Sequence, residues 1–298
     1  MDKKKFKAGF VSIVGKPNVG KSTILNWFFG EKLAIVSSKP ETTRDTIRGI
    51  LTTKDAQIVF IDTPGIHKAH LRLGKEMVKK ARSSLSGVDI VLAVVDAARG
   101  ITEDDNRLLD LVEDLKVPAI ALLNKADAMK RSRLLPMIEE FAAKYSFKDI
   151  IPISALKGDN MEVLKNKILE YLPEADMYYP KEQITDKDEK FRISEIIREK
   201  VLELTHYEVP HSIAVLLDEI SPGRDKDIIC VKANIFVERD SQKAIVIGSG
   251  GKMIKEVGIQ ARGDIEKLLG KKVFLELWVK VLKNWRSDPR AMKMLGLE

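Results

Sequence analysis

The stretch GKPNVGKS, residues 15–22, follows the apolar run FVSIV (10–14) and precedes the amphipathic run TILNWFF (23–29). It fits the pattern G-x-x-x-x-G-K-[ST] between a strand and a helix, although a purely structural glycine turn is the competing interpretation. Glycines let the backbone wrap closely around an anion, and the start of a helix adds a positive electrostatic end. We therefore predict a phosphate-binding loop, the P loop, which binds through Gly15, Pro17, Asn18, Val19, Gly20, Lys21, Ser22 and Thr23.

Two P-loop side chains and one strand end carry the expected chemistry. Lys21 is expected to reach the β- and γ-phosphates of a nucleotide, and the Ser22 hydroxyl is a typical ligand of Mg²⁺. The run VFIDTPG (59–65) ends an apolar strand with Asp62. This position suits the Mg²⁺ shell, and the amide of Gly65 could then contact a γ-phosphate.

The segment KPETTRDTIRG (39–49) lies between these motifs and contains two adjacent threonines. Either Thr42 or Thr43 could close on Mg²⁺, and Thr43 is the preferred candidate. Arg44 and Asp45 are further candidates, and solvated loop charges are an equally good interpretation of both. We predict that the residues of the reaction are Lys21, Thr43, Asp62 and Gly65, and that the Mg²⁺ ligands are Ser22, Thr43 and Asp62.

The runs LLNKAD (122–127) and ISAL (153–156) predict the base that is bound. Asn124 and Asp127 are spaced to read a purine edge, while the stem of Lys125 covers the ring. A carboxylate accepts two N–H bonds from N1 and N2 of guanine, and adenine has no matching donors. Backbone amides at Ser154, Ala155 and Leu156 would turn toward the guanine O6. These residues therefore favour GTP over ATP.

Each of these short motifs is weak alone, but the five in this order and spacing resemble the translation-factor-like branch of the small GTPases. One residue departs from the Ras pattern, because Ile66 stands where Ras-type proteins place the glutamine that orients the attacking water. The chain is similar here to a group with a hydrophobic residue at that site. In relatives of that group, an asparagine at the Asn18 position helps to hold K⁺. The resemblance implies slow intrinsic hydrolysis, with K⁺ as a candidate cofactor besides Mg²⁺.

The first part of the chain alternates strand-like and helix-like runs. Its strands are near-continuous in Val, Ile and Leu, which is typical of a mostly parallel sheet buried between helices. The runs TIRGILTT (46–53) and QIVFIDT (57–63) have a short connection and predict an antiparallel hairpin at one edge. We predict an α/β P-loop GTPase domain with a six-stranded sheet over residues 1–175.

A segment rich in Pro, Tyr and charge then breaks the pattern, and we interpret residues 176–190 as a linker. Residues 191–298 change to the order helix, two strands, helix, GxxG turn, helix, strand. This order is typical of a smaller α+β domain, a type II KH domain, in which the turn presses against the backbone of about four nucleotides.

The GxxG turn is Gly248-Ser249-Gly250-Gly251, and on its own such a turn is weak evidence. Lys252 and Lys255 follow it and could meet phosphates. The apolar neighbours are more typical of core residues, although one or two of them could line the cleft. We predict RNA contacts at Ile247, Gly248, Ser249, Gly250, Gly251, Lys252, Ile254, Lys255 and Arg262.

The charge distribution agrees with a polyanionic partner. The net charge is +7, and residues 241–298 hold twelve Lys or Arg against six Asp or Glu. Nucleic acid is the first candidate partner and an anionic membrane the second, while a solvated lysine face would explain the charge equally well. No run reaches the roughly 18 apolar residues of a membrane span, and no apolar signal segment follows the basic N-terminus. One cysteine, Cys230, fits a reducing compartment.

Taken together, TTR, DTPGIH, FRISEIIREKVL, VIGSGGKMIKEVGIQAR and LELWVKV resemble the Era family of bacterial GTPases with a C-terminal KH domain. The resemblance implies binding to the 3′ end of 16S rRNA and a role in rRNA processing and assembly of the 30S subunit. It also implies a cytoplasmic protein with loose peripheral association to the inner membrane. The sequence carries no strong oligomer signal, so we expect a monomer.

Two other functions compete with a GTP-dependent assembly switch. An RNA-binding chaperone with a vestigial GTPase is disfavoured by the intact Lys21, Ser22 and Asp62. A membrane-surface GTPase that uses its basic residues on anionic lipid is disfavoured by the GxxG turn.

Overall fold

The computed structural model describes residues 5–37, 39, 42–65, 71–206, 209–223 and 227–297. The chain divides into two compact units. The first unit comprises Met1–Ala34, Thr43–Ala69 and Met77–Asp186, and the second comprises Ile35–Thr42, His70–Glu76 and Lys187–Glu298. Two short segments of the N-terminal half therefore group with the C-terminal unit, which the linear boundaries drawn from the sequence do not anticipate. Those linear boundaries stay a prediction.

The first unit is built on a six-stranded sheet with the order β2-β3-β1-β4-β5-β6. All neighbouring strands are parallel except β2 and β3, which form the antiparallel edge hairpin. The predicted fold class is thus confirmed. The strands are β1 (Lys7–Gly15), β2 (Ile47–Thr52), β3 (Ala56–Asp62), β4 (Ile90–Asp96), β5 (Ala119–Asn124) and β6 (Asp149–Pro152).

Helices cover the buried strands. Every residue of β3, β4 and β5 is buried, as expected for strands with helices on both faces. Phe28 packs its ring on Phe60 of β3 with centroids 4.4 Å apart, while Leu108 and Phe141 join the core against β4 and β5. The helices are α1 (Lys21–Phe29), α2 (Arg72–Ser83), α3 (Glu103–Glu113), α4 (Arg131–Lys144) and α5 (Met161–Tyr171).

The predicted linker is hydrogen-bonded along the edge of the sheet. The amide of Ile50 in β2 donates to the carbonyl of Ile184 at 2.9 Å, and the amide of Asp186 donates to the carbonyl of Arg48 at 3.3 Å. Much of residues 176–190 is therefore attached to the first unit, because an edge strand offers a row of free backbone groups.

A buried glutamine fixes the start of this segment. The side-chain oxygen of Gln57 accepts hydrogen bonds from the amides of Tyr178 (2.8 Å) and Tyr179 (3.0 Å). Its side-chain nitrogen donates to the carbonyl of Tyr179 at 2.9 Å. Gln57 is fully buried, so its amide replaces water for three backbone groups of the linker.

The second unit has a three-stranded sheet with the order β7-β8-β9, antiparallel between β7 and β8 and parallel between β8 and β9. Its core is formed by Ile, Val and Ala side chains of the helices and of the inner sheet face. The predicted order of a type II KH domain is confirmed. The elements are α6 (Glu189–Leu204), β7 (Ala214–Pro222), β8 (Ile228–Val237), α7 (Asp240–Ile247), α8 (Lys252–Leu269), β9 (Lys272–Val281) and α9 (Pro289–Met294).

Two further features complete this unit. The indole nitrogen of the fully buried Trp285 donates to the carbonyl of Ser212 at 2.9 Å. Cys230 is a free, partly buried thiol in β8.

Across the described residues, no helix combines the length and the apolar character needed to cross a membrane.

Replacing Gln57 by Ala should release the linker from the sheet edge. The free energy of unfolding in urea should fall by roughly 2 kcal/mol, because three backbone groups lose a buried partner. Thr52→Ala is the control, since it removes only the bond between the Gln57 amide nitrogen and the Thr52 hydroxyl (3.0 Å). Equal losses in the two variants would contradict this role of Gln57.

Candidate nucleotide site and nucleic-acid interface

Glycine is required at both ends of the P loop, which joins β1 to α1. A Cβ at Gly15 would lie 2.6 Å from the carbonyl oxygen of Val94. A Cβ at Gly20 would lie 2.2 Å from the side-chain nitrogen of Asn124, and Gly20 has the left-handed φ of 101°. Neighbouring strands therefore approach the loop closely enough to exclude any side chain at these two positions.

The predicted base-reading residues hold the outer limb of the P loop. The side-chain nitrogen of Asn124 donates to the carbonyl of Val19 at 2.7 Å, and its side-chain oxygen accepts from the amide of Ala155 at 3.0 Å. The Lys125 ammonium donates to the carbonyl of Asn18 at 2.8 Å. An amide nitrogen carries two hydrogens, so the bond from Asn124 leaves one for a purine.

Two carboxylates that the sequence analysis missed anchor lysines of this site. Asp96 ends β4 and lies 2.7 Å from the ammonium of Lys125. Asp105, in the first turn of α3, lies 2.7 Å from the ammonium of Lys16, which also bonds the Thr102 hydroxyl at 2.6 Å. The position of Asp96 at the carboxyl end of a parallel strand is a signal that could have found it. Asp105 carries only the sequence signal of a helix cap.

Three oxygen-bearing side chains meet beside the P-loop lysine. The Ser22 hydroxyl donates to one carboxylate oxygen of Asp62 at 2.7 Å and lies 3.0 Å from the Thr43 hydroxyl. The other carboxylate oxygen of Asp62 is buried and has no hydrogen-bond partner. Lys21 donates to the carbonyls of Gly15 (3.2 Å) and Lys16 (2.9 Å). Hydroxyls around a carboxylate with an unused oxygen fit Mg²⁺, a hard cation that takes oxygen ligands.

Burial changes the titration of both charged groups. It raises the pKa of Asp62 to about 6, against the opposing effect of the Lys21 charge. Burial lowers the pKa of Lys21 to about 8, although the negative charge of Asp62 acts to raise it. Each group therefore lacks enough opposite charge around it. Mg²⁺ would supply positive charge to the Asp62 carboxylate, and phosphate oxygens would supply negative charge to the Lys21 ammonium.

The structure distinguishes between the two candidate threonines. Thr43 lies beside Ser22, whereas the Thr42 hydroxyl donates to the carbonyl of Lys39 at 2.6 Å. Of the two neighbouring candidates, Arg44 is buried and Asp45 lies 3.1 Å from the ammonium of Lys80.

Gly65 packs directly against the P loop, since a Cβ there would lie 2.5 Å from the backbone nitrogen of Pro17. This contact brings the chain after Asp62 beside the loop. Ile66 lies outside the described residues. Thr23 is half-buried in the first turn of α1.

The remaining predicted base-site residues lie at the ends of β5 and β6. Asp127 follows β5 in a short helical turn, with a carboxylate oxygen 3.8 Å from the ammonium of Lys157. Ser154 is fully buried, and its hydroxyl accepts from the amide of Lys157 at 3.2 Å. Leu156 is 82% exposed, which agrees with a role for its backbone rather than its side chain.

The GxxG turn joins α7 to α8. Gly248 is required by packing, because a Cβ there would lie 2.7 Å from the Cβ of Met253. Gly250 and Gly251 have left-handed φ angles of 60° and 77°, and a Cβ at either would meet nothing within 4 Å. Ser249 lies between Gly248 and Gly250 in the turn, and Lys252 begins α8. The turn thus leaves open space above two glycines, where another backbone could approach closely.

A cleft of about 390 Å³ lies between α8 and β9. Three predicted RNA contacts line it, Ile254, Lys255 and Arg262, whereas Ile247 packs against the core. Ile254 lines the cleft and also packs against the same core. The sequence analysis missed the exposed apolar residues of this cleft, although an aromatic residue in a strand next to lysines could have indicated them. They include Ile259 and Phe274.

Two family models match the chain. The family described as 50S ribosome-binding GTPase matches residues 10–125, and the KH domain family matches residues 208–286. A crystal structure of Era in complex with MgGDPNP and nucleotides 1506-1542 of 16S ribosomal RNA is 42% identical, with a TM-score of 0.95. The alignment covers 98% of this chain and 99% of that one. The chain belongs to the Era family.

A second Era structure, a point variant of the Aquifex aeolicus protein bound to GDP.AlF4-, matches with the same identity, coverage and TM-score. Membership in the Era family makes the chain a GTPase with a C-terminal KH domain.

Asp62→Asn should stabilise the protein without nucleotide and metal more at about pH 7 than at about pH 4.5. Because the folded-state pKa is about 6, against 3.8 ordinarily, the carboxylate destabilises the fold fully above pH 6. Below its ordinary pKa this destabilisation is absent. The difference in unfolding free energy between the two pH values should be at most roughly 3 kcal/mol. Thermal melts measure it, with the exposed Asp55→Asn as control. A pH-independent difference would contradict the burial effect.

Proposed function

We propose that the protein is a GTP-binding and GTP-hydrolysing switch. In this proposal it binds the 3′ end of 16S rRNA and acts in rRNA processing and 30S subunit assembly. The observation that carries the proposal is that one chain combines a buried site at Lys21 and Asp62 with an open GxxG turn. The solved Era complex with MgGDPNP and 16S nucleotides supports it.

Each residue of the first unit has a proposed role in hydrolysis. Lys21 binds phosphate oxygens. Burial lowers the pKa of Lys21, and the negative charge of bound phosphates would raise it again. Ser22, Thr43 and Asp62 hold Mg²⁺, which when bound neutralises charge on the phosphates. The amide of Gly65 contacts the γ-phosphate. Asp127 accepts from guanine N1 and N2.

We also propose that K⁺ assists hydrolysis through Asn18. Asn18 has the left-handed φ of 63°, and its carbonyl is bound by Lys125, so its side chain is presented from a fixed backbone. A cation there would add positive charge near the phosphates, as an arginine finger does.

Replacing Asn18 by Gly tests the K⁺ proposal, because glycine keeps the left-handed backbone and removes the side chain with its oxygen. In the unchanged protein, GTP turnover should be about tenfold faster in K⁺ than in Na⁺ buffer, the scale of one lost transition-state contact. The variant should lose this difference and keep its GDP affinity. Equal rates of the unchanged protein in both salts would refute the proposal.

The second unit is proposed to bind RNA through its GxxG turn and the adjoining cleft. Small glycines admit the phosphate backbone, Lys252, Lys255 and Arg262 meet phosphates, and the apolar wall of the cleft holds splayed bases. The excess of basic residues after residue 240 supports a strongly salt-dependent interaction.

Replacing Gly250 by Asp tests the RNA site and its link to nucleotide. A Cβ at Gly250 would meet no atom within 4 Å, so the added carboxylate has room to repel RNA phosphate. The left-handed backbone strains Asp and Asn alike, and the comparison of the two variants cancels that strain. Gly250→Asn is the matched neutral control, because Asn also tolerates a left-handed backbone. Affinity for a labelled 3′-terminal 16S fragment should fall at least about tenfold in the Asp variant and about twofold or less in the Asn variant.

This binding should be tighter with a non-hydrolysable GTP analogue than with GDP, measured by fluorescence anisotropy in K⁺ and Mg²⁺. GTP hydrolysis without RNA should be unchanged in both variants. Equal RNA affinity with the two nucleotides would contradict the switch. Equal losses in the Asp and Asn variants would attribute the effect to loop shape instead of charge.

For location, we propose a cytoplasmic monomer with peripheral contact to the inner membrane. The single free cysteine and the family resemblance support the cytoplasm. The basic residues after residue 240 support the membrane contact. Flotation with anionic liposomes, with and without competitor RNA, separates lipid binding from RNA binding.

A further inference from the structure

Helix α6 holds the chain segment Ile35–Thr42 by its backbone. A guanidinium nitrogen of Arg198 donates to the carbonyl of Thr42. A carboxylate oxygen of Glu199 accepts from the amide of Val36 at 2.9 Å. All four residues belong to the second unit. Two adjacent side chains of one helix therefore grip the segment near both of its ends.

These two side chains are buried, with exposures of 3% for Arg198 and 0% for Glu199. Glu195 receives two hydrogen bonds from Arg198, at 2.7 and 2.6 Å, and so fixes the plane of the guanidinium. The remaining guanidinium nitrogen is buried without a hydrogen-bond partner. Burying a charged group is costly, so the helix alone does not explain why two charged side chains are buried here.

The segment leads directly into a residue of the proposed Mg²⁺ site. The carbonyl of Thr42 and the amide of Thr43 belong to the same planar peptide group. A donor that fixes the direction of this carbonyl therefore also fixes the direction of the backbone that carries Thr43. The Thr43 hydroxyl lies 3.0 Å from that of Ser22.

We propose that Arg198 and Glu199 are positioning residues for Thr43 in GTP hydrolysis. They touch neither nucleotide nor Mg²⁺, and they act by fixing the peptide group between Thr42 and Thr43, from which the Thr43 side chain projects. This inference rests on the proposed function, since it assigns a cause to the position of one residue of that site.

A purely structural role would have a different signature. Lys200, the next residue of α6, makes ion pairs with Glu203 at 3.1 Å and with Asp264 at 3.2 Å. The pair with Asp264 joins α6 to α8, and the pair with Glu203 lies within α6. Lys200 also lies 3.7 Å from Glu199, but none of these pairs includes a residue of the Ile35–Thr42 segment. Their loss should change stability and leave the turnover number alone.

The test compares Glu199→Ala with Glu199→Gln in the full-length protein. The Ala variant removes the acceptor for Val36, and we expect the turnover number for GTP to fall about tenfold. The Gln variant keeps an oxygen acceptor and should recover most of the rate. GDP affinity, and RNA affinity in the GDP state, should stay within about twofold of the unchanged protein, because neither uses Thr43.

Hydrogen exchange gives a readout besides activity. With a GTP analogue bound, peptides that span residues 33–44 should exchange faster in Glu199→Ala than in Glu199→Gln. Glu203→Gln is the control on α6, and it should change neither exchange in these peptides nor the turnover number. If the Ala variant is too unstable to measure, Arg198→Lys replaces it. That substitution keeps the buried charge and loses the planar donor geometry.

An unchanged turnover number in both Glu199→Ala and Arg198→Lys would overturn the proposal. Parallel losses of turnover, GDP affinity and melting temperature would overturn it as well, since they indicate a structural role only. Absence of GTP hydrolysis by the unchanged protein would contradict the proposed function itself. The hydrogen-exchange comparison would still test whether Glu199 holds the segment through the amide of Val36.

Discussion

One amide side chain connects the loops on which the nucleotide site depends. Asn124, at the end of β5, bonds the carbonyl of Val19 after β1 and the amide of Ala155 after β6. The carboxyl ends of parallel strands meet at one edge of the sheet, and loops there have few regular backbone bonds of their own. Lys125 repeats the arrangement by joining Asn18 to Asp96. The residues expected to select guanine therefore also shape the loop expected to bind phosphate.

The two proposed anion sites use opposite physical strategies. In the first unit, Lys21 and Asp62 are buried. Burial lowers the pKa of Lys21 and raises the pKa of Asp62, and both shifts favour the neutral form of the group. Such a site holds its charges in place before a ligand arrives, so little reorganisation is needed on binding. In the second unit, Gly250 and Gly251 face open space and Phe274 is 56% exposed. That surface exchanges with water, which suits a long, flexible polyanion better than a compact nucleotide.

Sequence reasoning succeeded where structure follows from local pattern. The P loop, the mostly parallel sheet and the order of the KH elements can be predicted from short stretches of sequence. Within each stretch, the positions of glycines and the spacing of apolar residues indicate the structure. It failed where two distant residues meet without a motif. Nothing local to Asp105 indicates Lys16, and nothing in Gln57 indicates Tyr178 and Tyr179. The linker lacks periodicity because residues of β2 and β3 order it, chiefly through its backbone. The grouping of Ile35–Thr42 with the second unit depends on α6 in the same way.

The covered edge of the sheet has a consequence for the lifetime of the folded chain. β2 is an outermost strand, and its backbone would otherwise present free donors and acceptors to any extended peptide. Residues 184–186 occupy part of that row. Exposed strand edges template pairing between molecules, which leads to aggregation. The linker thus leaves fewer of these backbone groups open to another chain, and proteolysis within it would expose them again.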